Sequence, residues 1–348
     1  MKSHNSFQLN GKTFSSSEEI IQYSKEISEE VHFFLKEWFS EDLSIEVNTS
    51  GSTGIPKTIF LKKEFLINSA LTTGNTLDLK ANTTALMCLS ANYIAGKMML
   101  VRALVLGWHL DIVPTDVHPL KDVQTTYDFC AMVPLQLEHS LAKIHLIKKI
   151  IVGGGVVSSY LQEKLQVIES SVFATYGMTE TISHIAFKKL NNFSKGTSDT
   201  LEKSYYTVLS NVKIYKDTRN CLVIHAPKVS EEIIFTNDVV ELISDTQFSW
   251  VGRFDNVINS GGIKLHPEII EEKLSEIISN RFFVAGIPDE RLGEKLILIL
   301  EGNPQQLHFN KAHLSKYEIP KETYFVDAFI ETETKKIQRK KTLDFIKL

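Results

Sequence analysis

Residues 48–60 read NTSGSTGIPKTIF, a row of hydroxyl and glycine residues closed by a proline, a lysine and apolar residues. Gly51 and Gly54 let the backbone fold tightly enough to aim its amides at one anion, while Thr49, Ser50, Ser52 and Thr53 add hydroxyl donors. Lys57 adds charge, so the chemistry on offer is the cradling of a phosphate-sized group. The stretch nearly fits a Walker A loop, with Gly51 six positions before Lys57 and Thr58 next, but Pro56 stands where that loop needs its second glycine. Proline has a locked φ and no N–H to offer. A Walker loop also launches a helix, whereas KTIFLKK carries β-branched and aromatic residues suited to a strand. With SIEVN in front, the reading is strand, loop, strand. Taken alone, a ligand-free serine- and glycine-rich hairpin turn explains these residues equally well.

Three further segments carry chemistry. ATYGMTETISHIA, residues 174–186, puts a Tyr-Gly turn after an apolar strand. There Tyr176 can stack on a base, Thr179 can meet a phosphate oxygen, and Glu180 can ligate a hard cation; a capped helix start with Tyr176 in the core is the plainer alternative. Residues 235–274 hold Asp238 among apolar strand residues, then Arg253 and Asp255, then Gly261 and Gly262 in what reads as a second flexible loop. FIETETKKIQRKKTL, residues 329–343, is lysine-rich, and such a run is ordinarily a solvated face.

The elements that must position these residues follow from periodicity. Residues 18–39 place Ile20, Ile21, Ile27, Val31, Phe34, Leu35 and Trp38 at helical spacing with acids in the first turn, which predicts one surface helix. From about residue 80 to 175, short apolar runs such as TALMCLS, YDFCAMVP and KKIIVGGG alternate with helix-like stretches, predicting an α/β, mostly parallel sheet. Residues 191–204 are polar and loop-like. Beyond residue 253 the texture changes: Pro267 suits a first helical turn, and RFFVAGIP and KLILILEG read as two strands of a small α+β domain. The expected division is residues 1–252 and 253–348.

Composition sets the outer bounds. The 348 residues are 43% hydrophobic and 23% charged, an ordinary globular balance that accommodates two domains. A net charge of −4 gives no general attraction to nucleic acid or anionic membranes. Cys88, Cys130 and Cys221 are too far apart for a zinc CxxC pair and odd in number, which suits a reducing cytoplasm. The start lacks the apolar core of a signal peptide, and MMLVRALVLGW is interrupted by Arg102 and too short to span a bilayer. GGGVVS is not GxGxxG, so no dinucleotide site follows.

In this order, the four segments resemble the adenylate-forming superfamily of acyl-CoA synthetases, luciferases and peptide-synthetase adenylation domains, across roughly residues 47–342. Within it the chain is most similar to the o-succinylbenzoate–CoA ligases of menaquinone synthesis, through YIAGKMMLVRAL, YGMTETISHIA, GRFDNVINSGGIKLHPE and FFVAGIPDERLGEK. The resemblance implies a large N-terminal domain of layered sheets and helices, a small mobile C-terminal domain, and ATP, Mg²⁺ and coenzyme A as cofactors and co-substrate. It implies that Thr49, Ser50, Gly51, Ser52, Thr53, Gly54 and Lys57 close over the β- and γ-phosphates, and that Gly153 and Gly154 lie near the adenine. Tyr176 and Gly177 match the stacking turn, Thr179 the α-phosphate contact, Glu180 the Mg²⁺ ligand, and Asp238 with Arg253 the ribose pair. Lys336 matches the lysine that reaches the carboxylate and α-phosphate during adenylation, Asp255 the hinge, and Gly261 and Gly262 the border of the pantetheine channel.

Departures from the family pattern matter too. Relatives carry about a hundred more residues before the phosphate loop, so an N-terminal subdomain is expected to be largely missing. Asn237 replaces a glycine before Asp238, Asn256 a common second acid at the hinge, and Lys335 the glycine before the catalytic lysine. Lys336 is preferred over Lys335 because it keeps the spacing to Arg339. Tyr93 stands where many relatives place a histidine at the acyl pocket. Succinylbenzoate carries a second carboxylate that is costly to bury without a donor or cation, and Lys97 and Arg102 lie among apolar residues, either able to face the pocket or snorkel outward. Lys97, Ser183 and His184 are the other acyl-site candidates. Three alternatives stay open: a ligase for another aryl or acyl acid, a non-catalytic module that binds an acyl adenylate, and a Walker-type nucleotide hydrolase, which Pro56 and the strand after it disfavour.

Overall fold

The computed structural model describes residues 1–49, 57–193, 204–304, 307, 309, 314–332 and 337–346, and of Asn48, Thr49 and Lys57 the backbone alone. Ser44–Thr49 and Lys57–Lys62 pair antiparallel, with Thr49 opposite Lys57, so the two strands of the strand–loop–strand reading are present. Residues 50–56, read from the sequence as the phosphate-cradling stretch, lie outside the described residues.

The segment read as one helix is two, Ser17–Ser24 and Glu29–Phe39. Serine breaks it: Ser28 takes an extended backbone and caps the second helix by accepting from Val31 N–H at 3.3 Å, while Ser24 turns its hydroxyl back to Ile21 O at 2.7 Å. Nor is it a surface element, since Val31, Phe34, Leu35 and Trp38 are buried in the main core. Each such side chain contributes about 1.5–3 kcal/mol by leaving water.

Among the described residues a 12-stranded sheet dominates. Its first half is parallel: Gln8–Leu9, His109–Ile112, Thr84–Met87, Tyr127–Met132, Ile147–Val152 and Ser171–Gly177 lie side by side in that order. Direction reverses at His184–Lys189, and Tyr206–Val208, Gln247–Arg253, Ile234–Ser244, Cys221–His225 and Lys213–Lys216 extend the sheet antiparallel. The expected parallel sheet is thus one half of a mixed one. Helices Lys63–Thr76 and Ile94–Leu106 pack on one face, while Pro134–Ser140 and Ser159–Leu165 join the separate core on the other. Cys88 and Cys130 are buried free thiols with their sulfurs 3.8 Å apart. Among the described residues no helix is long and apolar enough to cross a membrane.

The large sheet ends at Arg253, and a second, five-stranded sheet begins at Ile258–Ser260. That sheet holds Phe282–Asp289 and Gly293–Glu301, the two strands read from the sequence, and Pro267 opens the helix Pro267–Leu274. Glu271 of this helix, partly buried and pushed by desolvation above the usual carboxylate range, accepts from Arg339 at 2.7 Å. This contact fastens the last helix, Arg339–Phe345, to the rest of the lobe. Ser159 Oγ donates to Glu272 Oε1 at 3.0 Å across the two parts of the chain.

Candidate functional site

The residues singled out by type converge where the sheet changes direction, at the carboxyl ends of the strands Ile147–Val152 and Ser171–Gly177. In open α/β sheets ligands bind in the crevice outside such ends. Gly153 and Gly154 follow the first strand directly, and Tyr176, Gly177, Thr179 and Glu180 end the second.

A strained turn shapes this corner. Ser183 N–H bonds back to Thr181 O at 2.7 Å across Ile182, whose φ of 66° and ψ of −57° form the rare γ-turn with a positive central φ. A β-branched residue in this conformation costs about 1–3 kcal/mol. Burial of Ile182 and the Thr181 hydroxyl, which accepts from Met178 N–H at 3.0 Å and donates to Ser183 O at 2.7 Å, hold it there. The turn leaves Thr179 half-buried and Glu180 exposed on one side, and directs Ser183 and His184 inward on the other. Gly177 is required by this closure: a Cβ there would stand 2.1 Å from Ser183 O.

Tyr176, Asp238 and Arg253 meet although distant in sequence. Asp238 and Arg253 are register partners on adjacent antiparallel strands, and Asp238 is buried. Its carboxylate accepts from Tyr176 Oη at 2.7 Å and Trp250 Nε1 at 3.1 Å, with Arg253 3.6 Å away. Burial and the neighbouring carboxylate hold the Tyr176 phenol far above its usual range, so it stays a donor. Its ring stands edge-on to Phe248 at 5.1 Å. Arg253 also reaches Asp255 at 3.0 Å in the short turn Phe254–Asn256. Gly261 and Gly262, both at positive φ, make the two-residue turn between Ile258–Ser260 and Ile263–Leu265, a tight hairpin and not the flexible loop expected.

On the inner side of the strained turn lies a polar cluster in an otherwise apolar interior. Arg102 is 2% exposed, donates to Ser183 Oγ at 3.3 Å, touches Met99 Sδ at 3.9 Å, and leaves Nε unpartnered. No carboxylate pairs with it among the described residues, and burial pushes its guanidinium down to about 9. Ser183 Oγ lies 2.9 Å from Ser69 Oγ. Thr73 donates to Ser69 O at 2.9 Å, so at its 3.0 Å contact with His184 the imidazole Nε2–H is the donor. Burial first, and Arg102 second, hold His184 well below its usual value and therefore neutral. The cluster thus carries one formal charge with no counter-ion among the described residues.

Of the two cations in the helix Ile94–Leu106, Arg102 faces this cluster. Lys97, the sequence choice, sits about 140° around the helix, its ammonium 5.1 Å over the Phe34 ring and near Glu30, Glu37 and Glu46. Tyr93 precedes the helix, 38% exposed. The sequence reading did not name Ser69, Thr73 or Trp250. Ser69 and Thr73 carried a signal, two polar residues four apart on one buried helix face; Trp250 carried none.

Ser50, Gly51, Ser52, Thr53, Gly54, Lys335 and Lys336, and the side chains of Thr49 and Lys57, lie outside the described residues. Among the described residues no three His, Cys, Asp or Glu side chains converge as a metal cluster. Glu180 offers one exposed carboxylate, which fits a cation that brings most of its ligands as water and phosphate oxygen.

Comparison with known proteins gives the family and the fold. A 2-succinylbenzoate–CoA ligase from Geobacillus is 24% identical over 345 residues, covering 88% of this chain and 70% of the relative. The crystal structure of an AMP-forming acyl-CoA synthetase/AMP-acid ligase II-like protein from Dyadobacter fermentans is 35% identical, covers 90% of this chain and 93% of its own, and superposes with a TM-score of 0.60. The o-succinylbenzoate coenzyme A synthetase from Bacillus subtilis, solved with ATP and magnesium ion, shares the fold at a TM-score of 0.73 and 19% identity, over 97% of this chain and 84% of that one. The family model of the AMP-binding enzymes matches residues 10–223, and the chain belongs to that family.

Proposed function

We propose that the chain is an ATP-dependent acid–CoA ligase that adenylates 2-succinylbenzoate, releases pyrophosphate, and passes the acyl group to coenzyme A, a step of menaquinone synthesis. The observation that carries the substrate is Arg102, a buried guanidinium without a carboxylate partner among the described residues, beside Ser183. A fold does not keep an unpaired interior charge for stability. A ligand carboxylate entering the acyl site supplies the missing partner, and an acid with two carboxylates can offer one to Arg102 and the other to the reaction.

Each residue has a distinct task in this scheme. Asp238 accepts from a ribose hydroxyl, with Tyr176, Trp250 and Arg253 fixing its carboxylate. The strained turn sets Thr179 against the α-phosphate and Glu180 towards the metal. Mg²⁺, when bound, screens the phosphate charge and lowers the barrier to attack by a carboxylate. Neutral His184 closes the acyl site without adding a second charge. Residues 50–56, with their hydroxyl and glycine groups, serve the departing phosphates, and Lys336 steadies the carboxylate and α-phosphate through adenylation. The part beyond residue 253 then turns about Asp255 and brings the Gly261–Gly262 hairpin to the thiol. ATP and coenzyme A are drawn from the cytoplasm, where we place the enzyme.

The test is a complete turnover assay with ATP, coenzyme A and succinylbenzoate, resolving AMP from ADP. Thioester and AMP in equal amounts support the reading. ADP release that ignores the acid refutes it.

A further inference from the structure

Asp255, the residue that the ligase reading makes the hinge, is held by groups which that reading does not use. Asn237 Nδ2 donates to Asp255 Oδ2 at 3.3 Å, alongside Arg253 at 3.0 Å. Arg219 in turn donates to Asn237 Oδ1 at 2.8 Å and to Thr236 O at 3.0 Å, and its guanidinium lies over the Phe254 ring at 5.3 Å. Asp217 orients Arg219 by accepting from Nε at 2.8 Å. One guanidinium therefore engages the strand Ile234–Ser244 and the turn Phe254–Asn256 together. A glycine at position 237, which the family pattern leads one to expect, could make neither side-chain bond.

We propose that Arg219 and Asn237 are positioning residues that brace Asp255 and Phe254 in the observed orientation, so that the balance between adenylation and thioester formation depends on them. The proposal rests on the ligase reading. Neither residue touches the reacting atoms; they act on the population of one hinge orientation. Weakening a brace of a few solvent-accessible bonds shifts such a population by about five-fold. Because the two half-reactions need different orientations, one must rise as the other falls.

Asn237→Ala removes both amide bonds, and Arg219→Lys keeps the charge but loses the planar fork. For each variant, pyrophosphate exchange into ATP reports adenylation, and thioester formation from preformed acyl adenylate reports the second half. Hydrogen exchange at the Val257 amide, which bonds to Phe254 O at 3.3 Å, reports the turn without any activity. The brace predicts opposite changes in the two rates, altering their ratio about five-fold, with faster exchange at Val257 and little change in Tm. An unchanged ratio, or a parallel fall in both rates with a lower Tm, overturns it. If the parent chain catalyses neither half-reaction, the ligase reading fails, and exchange alone decides: unchanged protection at Val257 overturns the brace.

Discussion

Replacing Arg102 by methionine separates what the fold needs from what the substrate needs. Burial lowers the guanidinium from the ordinary arginine range to about 9; at about 1.4 kcal/mol per pH unit, the fold gives up about 4–5 kcal/mol to keep this charge. The bond to Ser183 at 3.3 Å recovers part of that. Even buried ion pairs can be exchanged for apolar side chains of similar volume at no cost or with a gain of about 1–4 kcal/mol; among the described residues Arg102 has no pair to lose, so Arg102→Met should raise the denaturation midpoint at pH 7. The sign with pH is fixed. The folded value lies below the unfolded one, so the penalty is fully present below about pH 9 and is relieved as pH rises towards the ordinary arginine value. The variant's advantage should therefore shrink above pH 9. In the same variant kcat/KM for succinylbenzoate should fall about 10²–10³-fold, the loss expected when a buried charge loses its partner. For benzoate, which lacks the second carboxylate, it should change less than about three-fold. A variant that is less stable at pH 7 and loses both acids equally would show that Arg102 serves the core and not the substrate.

Gly177→Ala should destabilise the protein by about 2 kcal/mol or more, because the new Cβ would meet backbone at Ser183 O and His184 Cα, 2.1 and 2.5 Å away; a wild-type melting curve would contradict the strained turn. Asp238→Asn should raise KM for ATP about 10–100-fold with a smaller effect on kcat, since it weakens an acceptor fixed by Tyr176 and Trp250; an unchanged KM in steady-state assays removes Asp238 from the ribose site. Lys336→Ala should abolish pyrophosphate exchange while leaving thioester formation from preformed acyl adenylate largely intact, and equal loss of both in a folded variant rejects the two-orientation mechanism.

The sequence was legible wherever a local rule was strong. Pro56 and the β-branched run after it disfavoured a helix-launching phosphate loop, and the strand Lys57–Lys62, paired antiparallel with Ser44–Thr49, agrees. Pro267 and the apolar runs after residue 281 marked real elements. The failures share a physical cause, which is that local pattern does not say what lies opposite. Ser24 and Ser28 were overlooked because the apolar period of residues 18–39 is continuous, whereas their side chains compete for the backbone and split the helix. The helix Ile94–Leu106 is buried around most of its circumference, so no periodicity distinguishes the face of Lys97 from that of Arg102; only the packing of Phe34 and Ser183 does. The contact of Tyr176 with Asp238 spans 62 residues and depends on the sheet reversing direction between them.

The central claim is acid-dependent activation by ATP, and exchange of labelled pyrophosphate into ATP across a panel of carboxylic acids measures it directly. The account predicts exchange that needs the acid and Mg²⁺, with succinylbenzoate well ahead of benzoate and fatty acids. Exchange absent with every acid, or equally fast with benzoate, would contradict it.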